Sequence, residues 1–308
     1  MSDLHRAVGE YLAVRRALGF KLEREGQLLD DFAGFCARRG EPAVTAAAAL
    51  AWATLPQDAD PCWWAARLTA VRTFARWRAA FDPATEVPPA GLLPQRSRRA
   101  EPYPYSDADI LALLEQARAI RSPLRAATYQ TLIGLLAVSG MRVGEAIALD
   151  RGDVDLDERA LHVRNAKFGK SRLIICHPST AGALRAYQRV RDAHRPDPAT
   201  PAFFVSTAGT RLIYKNVHQC FHQLAAQAGL APLGPRCRPR IHDLRHRFAL
   251  QALLGWYRDG TDIARQLPAL SACLGHVRPQ DTYWYLRAAP ELLALAAQRL
   301  QRFPGALR

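Results

Sequence analysis

One short segment of the sequence combines side chains that could act on a phosphate. The stretch IHDLRHRFAL, residues 241–250, groups His242, Arg245 and His246 among apolar residues. His242 and Arg245 are three residues apart, so on a helix both lie on one face. An imidazole can hold or transfer a proton near neutral pH, and a guanidinium binds phosphate oxygens through paired hydrogen bonds. The segment therefore predicts an anion site, although a basic amphipathic helix without a chemical role would show the same local pattern.

Three further segments carry groups that would complete such a site. SGMRVGEAIAL contains an arginine just past a predicted helix end, NAKFGKSR places a lysine at a predicted hairpin tip, and LGHVRPQDTYWYL contains a histidine followed by tyrosines. In chain order, the side chains are Arg142 with Glu145 three residues later, Lys167, His276, Tyr283 and Tyr285.

Together, these groups could break and rejoin a phosphodiester without a metal ion or another cofactor. Two arginines can clamp the non-bridging oxygens and neutralise the charge of a pentavalent state. A lysine can protonate the departing 5′ oxygen, and a tyrosine hydroxyl can attack the phosphorus and stay attached. Each segment alone is a weak signal, because an Arg-x-x-Glu pair is commonly a helical ion pair. The ordered combination of all four segments is the stronger signal.

The N-terminal part of the chain is predicted to be helical. Apolar periodicity indicates helices over 3–18 and 22–39, a third from Thr45 to about residue 54, and a fourth from Pro61 to about residue 81. The fourth helix carries four arginines, which fit either a packed helix with a solvated basic face or a helix laid on a DNA backbone. They are Arg67, Arg72, Arg76 and Arg78.

A change of composition divides the chain. Residues 82–104 are rich in Pro and Arg and lack periodicity, which predicts a linker between a helical domain at 1–81 and a second domain at 105–308. In the second domain we expect a helix capped by Ser106, an apolar helix ending near Gly140, and a hairpin of strands around 160–164 and 173–176. Further helices are expected at 179–193, within 211–229 and from about His242, then a helical region that Pro268 interrupts and an amphipathic helix after Pro290. The fold class is mainly α with a small antiparallel sheet.

Composition indicates a globular protein with a polyanionic partner. The formal net charge is +14 with 49% hydrophobic and 23% charged residues, which favours nucleic acid, although an Arg-preferring genome would also give a basic chain. No apolar run is long enough to cross a membrane, and the N-terminal residues do not resemble a secretory signal. The six scattered cysteines lack a CxxC pair, which predicts reduced, mostly buried thiols and a cytoplasmic protein. With nucleic acid as its partner, the protein is expected to be associated with the nucleoid.

A metal site is a possible alternative role for two histidines outside these segments. His218 and His222 are one helical turn apart, but Cys220 falls on the other side of a helix and a fourth ligand is missing. We therefore expect neither a metal nor any other cofactor.

The four segments resemble those of the tyrosine recombinase (phage integrase) family, which includes Xer-type recombinases, Cre and the lambda integrase. SGMRVGE is similar to its first-arginine box, AKFGKSR to its hairpin with the catalytic lysine, and HDLRH to its His-x-x-Arg box. LGH, followed nine residues later by a tyrosine, has the family spacing for the second histidine and the nucleophile. The resemblance implies the catalytic set Arg142, Lys167, His242, Arg245, His276 and Tyr285, with Lys170 and Tyr283 as the alternatives for lysine and nucleophile.

The resemblance also implies a fold and a reaction. A helical core-binding (SAM-like) domain and a catalytic domain would form a C-shaped clamp on double-stranded DNA. Tyr285 would form a 3′-phosphotyrosine, and strands would be exchanged through a four-way Holliday junction. The exchange would take place in a homotetramer on two sites, which would assemble from monomers or dimers. Other recombinases are possible partners. The ending DTYWYL…APELL resembles enzymes of transposons and other mobile elements, which suggests integration, excision or transposition.

Three other functions stay open at this point, namely Xer-like dimer resolution, relaxation like that of a type IB topoisomerase, and a non-catalytic DNA-binding accessory role. The terminal helix is expected either to dock on a neighbouring protomer or to fold back on its own domain. Six cations flank the boxes and are predicted to contact the DNA backbone, which gives affinity and register rather than sequence choice. They are Arg164, Lys170, Arg172, Lys215, Arg238 and Arg240.

Overall fold

The computed structural model describes residues 3–94, 100–164, 171–196 and 199–275. The chain separates into two units, Met1–Arg99 and Ala100–Arg308, so the boundary lies within the 82–104 segment. Both units are mainly helical, and the second contains a three-stranded antiparallel sheet. The predicted fold class is confirmed.

Four helices make up most of the first unit: α1 (Asp3–Ala17), α2 (Glu23–Arg38), α3 (Ala46–Ala53) and α4 (Pro61–Arg78). Local sequence explains where two of them begin. The hydroxyl of Thr45 accepts from the backbone of Ala48, and Asp60 caps α4 with Pro61 at its first position. These four helices confirm the predicted ones to within a few residues.

Two of the arginines on α4 are buried in the first unit and bind backbone carbonyls there. Arg67 donates to the Trp52 carbonyl at 3.0 Å and stacks over the Trp52 ring at 3.8 Å. Arg72 donates to the carbonyls of Pro88 and Pro89 at 2.8 and 2.7 Å. Both side chains are buried. Arg67 and Arg72 therefore bind groups inside the first unit, and of the two interpretations of this helix, packing and not contact with a DNA backbone applies to them.

The second unit contains seven α-helices over its described ranges, with the sheet after the third. They are α5 (Asp107–Arg118), α6 (Pro123–Ser139), α7 (Val143–Ala148), α8 (Pro178–His194), α9 (Tyr214–Gln227), α10 (Asp243–Arg258) and α11 (Ile263–Leu274). The strands are β1 (Val154–Asp155), β2 (Ala160–Val163) and β3 (Arg172–Ile175), in the order β1-β2-β3, and a 3₁₀ turn at Arg151–Asp153 leads into β1. Leu161 lies opposite Ile174 and His162 opposite Leu173.

The apolar helix α6 forms the centre of this unit. Leu132, Ile133, Leu135 and Leu136 are almost completely buried, as expected for a helix that is apolar on all sides. Helices α5, α8 and α10 pack around it. The cap predicted at Ser106 is present, and Ser106 and Asp109 exchange hydrogen bonds as a capping box at the start of α5. The buried helix therefore holds its C-terminal end, where the first arginine box begins, at a fixed place.

The expected interruption at Pro268 is wrong, because α11 continues through it. A proline in a helix leaves the carbonyl of the residue four positions earlier without its donor. That residue, Ala264, is exposed, as is Pro268, so water can satisfy the carbonyl. Leu267, Leu270 and Leu274 are buried on the opposite face and keep the helix packed.

The sequence also led to expectations about membrane crossing, the cysteines and a terminal helix. None of the helices in the described ranges combines the length and the apolar character needed to cross a membrane. All six cysteines are free thiols, and four of them are buried. Residues 291–308, where the terminal helix is expected, lie outside the described residues.

Candidate active site

A left-handed turn at the end of α6 is the base of the site. Gly140 ends the helix with φ 62° and ψ 16°, and Arg142 precedes the first residue of α7. A Cβ at Gly140 would lie 2.4 Å from Cδ1 of Phe248 on α10 and 2.9 Å from Cδ2 of Leu274 on α11. Only glycine fits both the backbone angle and this close approach, so the turn brings α6, α10 and α11 together.

Arg245 lies on α10 against this turn. Its side chain is almost fully buried, with 2% exposed. Nη1 donates to the Gly140 carbonyl at 2.6 Å and Nη2 to the Leu274 carbonyl at 2.5 Å. These two acceptors are neutral oxygens, so the bonds orient the guanidinium without cancelling its charge. Such an oriented cation stabilises a bound anion more than a freely solvated cation does.

Arg142 approaches the same place from the start of α7. Its Nη2 donates to the Gly275 carbonyl at 3.3 Å, and its Nη1 donates to Oε1 of Glu145 at 2.8 Å. Oε2 of Glu145 accepts from the backbone amide of Arg142 at 2.9 Å. The ion pair suggested by the Arg-x-x-Glu spacing is therefore also a helix cap. It fixes the guanidinium while 29% of the side chain stays exposed.

Glu145 also binds an arginine from the sheet. Arg172, the first residue of β3, donates Nη1 and Nη2 to its two oxygens at 3.1 and 2.7 Å. Burial of the carboxylate raises the pKa of Glu145, but the hydrogen bonds and charge of Arg172, together with the hydrogen bonds from Arg142, prevail and lower it to about 2. Glu145 is thus ionised and shared between two guanidinium groups.

The last turn of α11 is held by three arginines. The successive carbonyls of residues 273–275 accept from Arg172 Nε at 2.8 Å, Arg245 Nη2 at 2.5 Å and Arg142 Nη2 at 3.3 Å, respectively. The final carbonyls of a helix lack partners within the helix and attract cations. We call these three side chains the arginine clamp. It joins α7, α10 and β3 to the point from which the chain continues to His276.

His242 lies beside the clamp, directly before α10, and is exposed. Surrounding protein atoms lower the pKa of His242, and the charge of Arg245 lowers it further. Asp243 opposes this, while Arg142 and Arg240 add to the lowering. The imidazole is therefore biased towards its neutral form, first by the surrounding protein atoms and then by the same cations that would attract a phosphate.

Asp243 anchors the His-x-x-Arg segment. Its buried carboxylate accepts from Nε and Nη2 of Arg240, both at 2.9 Å, and from the backbone amide of Tyr103 at 3.1 Å. The hydroxyl of Tyr105 donates to the Arg240 carbonyl at 3.1 Å. This bonding network joins Tyr103, near the end of the segment predicted as a linker, and Tyr105, directly after that segment, to the base of α10.

The structure brings together three of the six predicted catalytic residues, Arg142, His242 and Arg245. Lys167, His276 and Tyr285 lie outside the described residues, as do their alternatives Lys170 and Tyr283. Sequence reasoning noted Glu145 only as a partner of Arg142 and did not identify Asp243. The bond from Arg172 to Glu145 spans 27 residues, so no local spacing could have shown it.

The predicted DNA contacts have different surroundings. Lys215 and Arg238 are exposed, and Arg164 is exposed and pairs with Asp153 at 2.5 Å. Arg240 is partly exposed but bonded to Asp243. Arg172 has only 11% of its side chain exposed, and all three of its nitrogens donate to protein oxygens. Its guanidinium thus points into the unit, unlike those of the exposed cations.

The described ranges contain no group of three or more His, Cys, Asp or Glu residues arranged to hold a metal ion. On α9 the rings of His218 and His222 are 4.5 Å apart, while Cys220 is buried. The site around the clamp is instead cationic, with two guanidinium groups and an imidazole arranged for an anion with several oxygens.

Comparisons with known proteins point to one family. The model of the phage integrase family matches residues 106–291. The putative integrase/recombinase y4rB of Sinorhizobium fredii is 47% identical over 98% of both chains. Among solved structures, the Tn1549 transposon integrase in complex with transposon right end DNA aligns with a TM-score of 0.67 at 14% identity, covering 99% of this chain and 100% of that one. A lambda integrase tetramer bound to a Holliday junction aligns with a TM-score of 0.60 at 18% identity, covering 90% and 78%.

Proposed function

The chain belongs to the phage integrase family of tyrosine recombinases, and from this premise we propose that it cuts and rejoins duplex DNA at specific sites through a 3′-phosphotyrosine. The observation that carries the proposal is the convergence of Arg142, Arg245 and His242 at the turn after α6. One scissile phosphate would be bound there.

The two arginines would stabilise the charge of the reacting phosphate. Each guanidinium is already oriented by backbone carbonyls, Arg245 by those of residues 140 and 274 and Arg142 by that of residue 275. Donors that are fixed in advance need not reorganise as charge develops on the non-bridging oxygens. This preorganisation is the main contribution that the described residues make to the reaction.

His242 would act in its neutral form. Its lowered pKa keeps a lone pair on the ring near neutral pH, so the ring can accept a proton or a hydrogen bond. The ring lies one helical turn from Arg245, and it can therefore reach a group bound to the same phosphate.

The remaining roles are assigned by family spacing to residues outside the described ranges. The phenol of Tyr285 would pass its proton to the neutral ring of His242 while its oxygen forms a bond to phosphorus and the bond from phosphorus to the 5′ oxygen breaks. Lys167 would give that oxygen its proton, and His276 would donate to the phosphate. A 5′ hydroxyl from the partner duplex would then attack the phosphotyrosine and release the tyrosine. Each step exchanges one phosphoester for another, so no metal or ATP is required.

We further propose that four protomers act on two sites through a Holliday junction, and that the reaction integrates, excises or transposes a mobile element. The lambda integrase tetramer on a Holliday junction and the Tn1549 integrase on transposon end DNA support this choice. Lys215, Arg238 and Arg164 are the described cations that we assign to the DNA backbone, together with Lys170. The enzyme would then work in the cytoplasm, on the nucleoid.

The products of the reaction test the function. The target site can be read by sequencing the DNA that stays covalently attached to the chain after cells are lysed in detergent. A plasmid carrying two copies of that site should give recombinant circles with the purified chain and no added metal or ATP. Relaxed circles without recombinants would indicate a topoisomerase, and a chain that binds the site without ever becoming attached would be an accessory protein.

A further inference from the structure

We propose that Arg172 is a positioning residue that joins Glu145 to the end of α11 and so keeps Arg142 directed at the phosphate, an inference that rests on the proposed function. Arg172 would not touch DNA. It would act through Glu145 and through the backbone that leads to His276.

The contacts of Arg172 use the whole guanidinium. Two nitrogens bind the two oxygens of Glu145 on α7, and Nε binds the Cys273 carbonyl on α11. Arginine suits this arrangement because its donors are fixed in one plane, whereas a lysine ammonium is a single point of charge. One side chain from β3 therefore sets the distance between two elements of the site.

The carboxylate transmits this position to Arg142. Oε1 of Glu145 accepts from both Arg172 Nη1 and Arg142 Nη1, and Oε2 accepts from both Arg172 Nη2 and the Arg142 amide. Without Arg172, half of these bonds would be lost and the carboxylate could rotate. The start of α7 and the guanidinium of Arg142 would lose their fixed orientation with it.

Charge gives a second reason for the pairing. Arg142, Arg172 and Glu145 carry two positive charges and one negative charge, so one positive charge remains for a phosphate. If Arg172 were replaced by a neutral residue, Arg142 and Glu145 would form a neutral pair. The attraction of Arg142 for the developing negative charge would then weaken even if its position were kept.

The same guanidinium also packs against the residue where α11 ends. Gly275 has φ 64°, and a Cβ there would lie 2.8 Å from Arg172 Nη1. Arg172 therefore lies over the backbone of the residue directly before His276. Its replacement would loosen the start of the segment to which family spacing assigns the second histidine and the nucleophile.

The experiment compares Arg172→Ala and Arg172→Lys with Arg185→Ala as a matched control. Arg185 likewise binds one carbonyl and one carboxylate, those of Leu156 and Asp157, but at an exposed place on α8. Each full-length variant is tested on the duplex identified from covalently attached DNA. Single-turnover cleavage at saturating DNA, the dissociation constant and its salt dependence are measured, with hydrogen–deuterium exchange of peptides covering residues 140–146.

The proposal predicts a selective loss. Arg172→Ala should lower the cleavage rate by on the order of 10- to 100-fold, by analogy with the loss seen when the hydrogen-bond partner of a metal-binding side chain is removed. The dissociation constant should change much less than the cleavage rate, the salt slope should not change, and the amide of Arg142 should exchange faster. Arg172→Lys keeps the charge and should recover part of the rate, and Arg185→Ala should match the wild type.

Three results would overturn the proposal. An unchanged cleavage rate in Arg172→Ala would show that Arg172 has no role in the reaction. Unchanged hydrogen–deuterium exchange over residues 140–146 would show that Arg172 is not coupled to Arg142. Weaker binding with a salt slope reduced by about 0.9 would make Arg172 a phosphate contact instead. A wild type that never attaches to DNA would contradict the proposed function, while amide exchange would still decide whether Arg172 holds Arg142.

Discussion

Arg245 on α10 donates to the backbone carbonyl of Gly140, 2.6 Å away at the end of α6, across 105 residues of sequence. Arg142 follows Gly140 by two residues, so this one bond joins the turn that carries the first arginine to the helix that carries the second. The relative position of the two guanidinium groups depends on a glycine that has no functional side chain.

Gly140→Ala should therefore be strongly destabilising. An alanine in the left-handed region costs about 1–2 kcal/mol, and overpacking against Phe248 and Leu274 adds about 1–3 kcal/mol. The midpoint of urea unfolding, followed by circular dichroism, should fall accordingly. Gly182→Ala, in open space on α8, is the control and should be neutral or slightly stabilising. Equal midpoints for the two variants would show that the turn tolerates a side chain.

Glu145→Gln should remove a stabilisation that depends on acidity. The folded pKa of Glu145 is about 2 against an ordinary value of 4.5, so on acidification the unfolded chain takes up the proton first. The charged carboxylate then contributes about 3 kcal/mol, present in full above pH 4.5 and lost as the pH falls towards 2.

Urea unfolding of wild type and Glu145→Gln between pH 7 and pH 3 measures this contribution. The gap in stability between the two proteins should be constant at neutral pH and narrow below pH 4.5. Glu158→Gln, at an exposed turn, is the control for a change of charge alone. A gap that does not depend on pH would contradict the shared ion pair.

His242 should set the acid limit of DNA cleavage. Because its pKa lies below the ordinary 6.5, the ring stays neutral until the solution is more acidic than that value. The single-turnover cleavage rate should be flat around neutral pH and decline only below 6.5, and His242→Gln should cleave slowly without this decline. His194→Gln, in the last turn of α8, is the control. A decline that starts above 6.5, or that persists in His242→Gln, would contradict a neutral His242.

Local sequence was sufficient for most helices and for the identity of the clustered side chains. Caps such as Ser106 with Asp109 involve neighbouring residues, and the periodicity of apolar residues shows which helices pack. The box residues could be found because His242 and Arg245 share one helical face whatever the rest of the fold does.

What the sequence could not show depends on distant contacts. Arg67 and Arg72 look like surface cations in the sequence, but they can be buried because carbonyls from other segments accept hydrogen bonds from their guanidinium groups. Arg172 was predicted as a DNA contact because it follows the hairpin lysine, whereas its acceptors lie 27 and 101 residues away. Strand β1 has two residues, too few to show any periodicity.

Lys215 and Arg238 should contribute to DNA affinity through phosphate charge. Both are exposed, and each contact with a phosphate changes the slope of log affinity against log salt by about 0.9. Lys215→Ala and Arg238→Ala should each flatten the slope by that amount and weaken specific and random duplexes alike. Arg118→Ala, an exposed arginine at the end of α5, should leave the slope unchanged. If both variants keep the wild-type slope, these cations face away from the DNA.

The most direct measurement is the identity of the tyrosine that becomes attached to DNA. Wild type, Tyr285→Phe and Tyr283→Phe are each lysed in detergent with their DNA, and the attached peptide is mapped by mass spectrometry after nuclease digestion. We expect a phosphotyrosyl link at Tyr285 in wild type and in Tyr283→Phe, and none in Tyr285→Phe. A link at Tyr283, or attachment that survives in Tyr285→Phe, would contradict the assigned nucleophile, and no covalent DNA in any of the three would contradict cleavage itself.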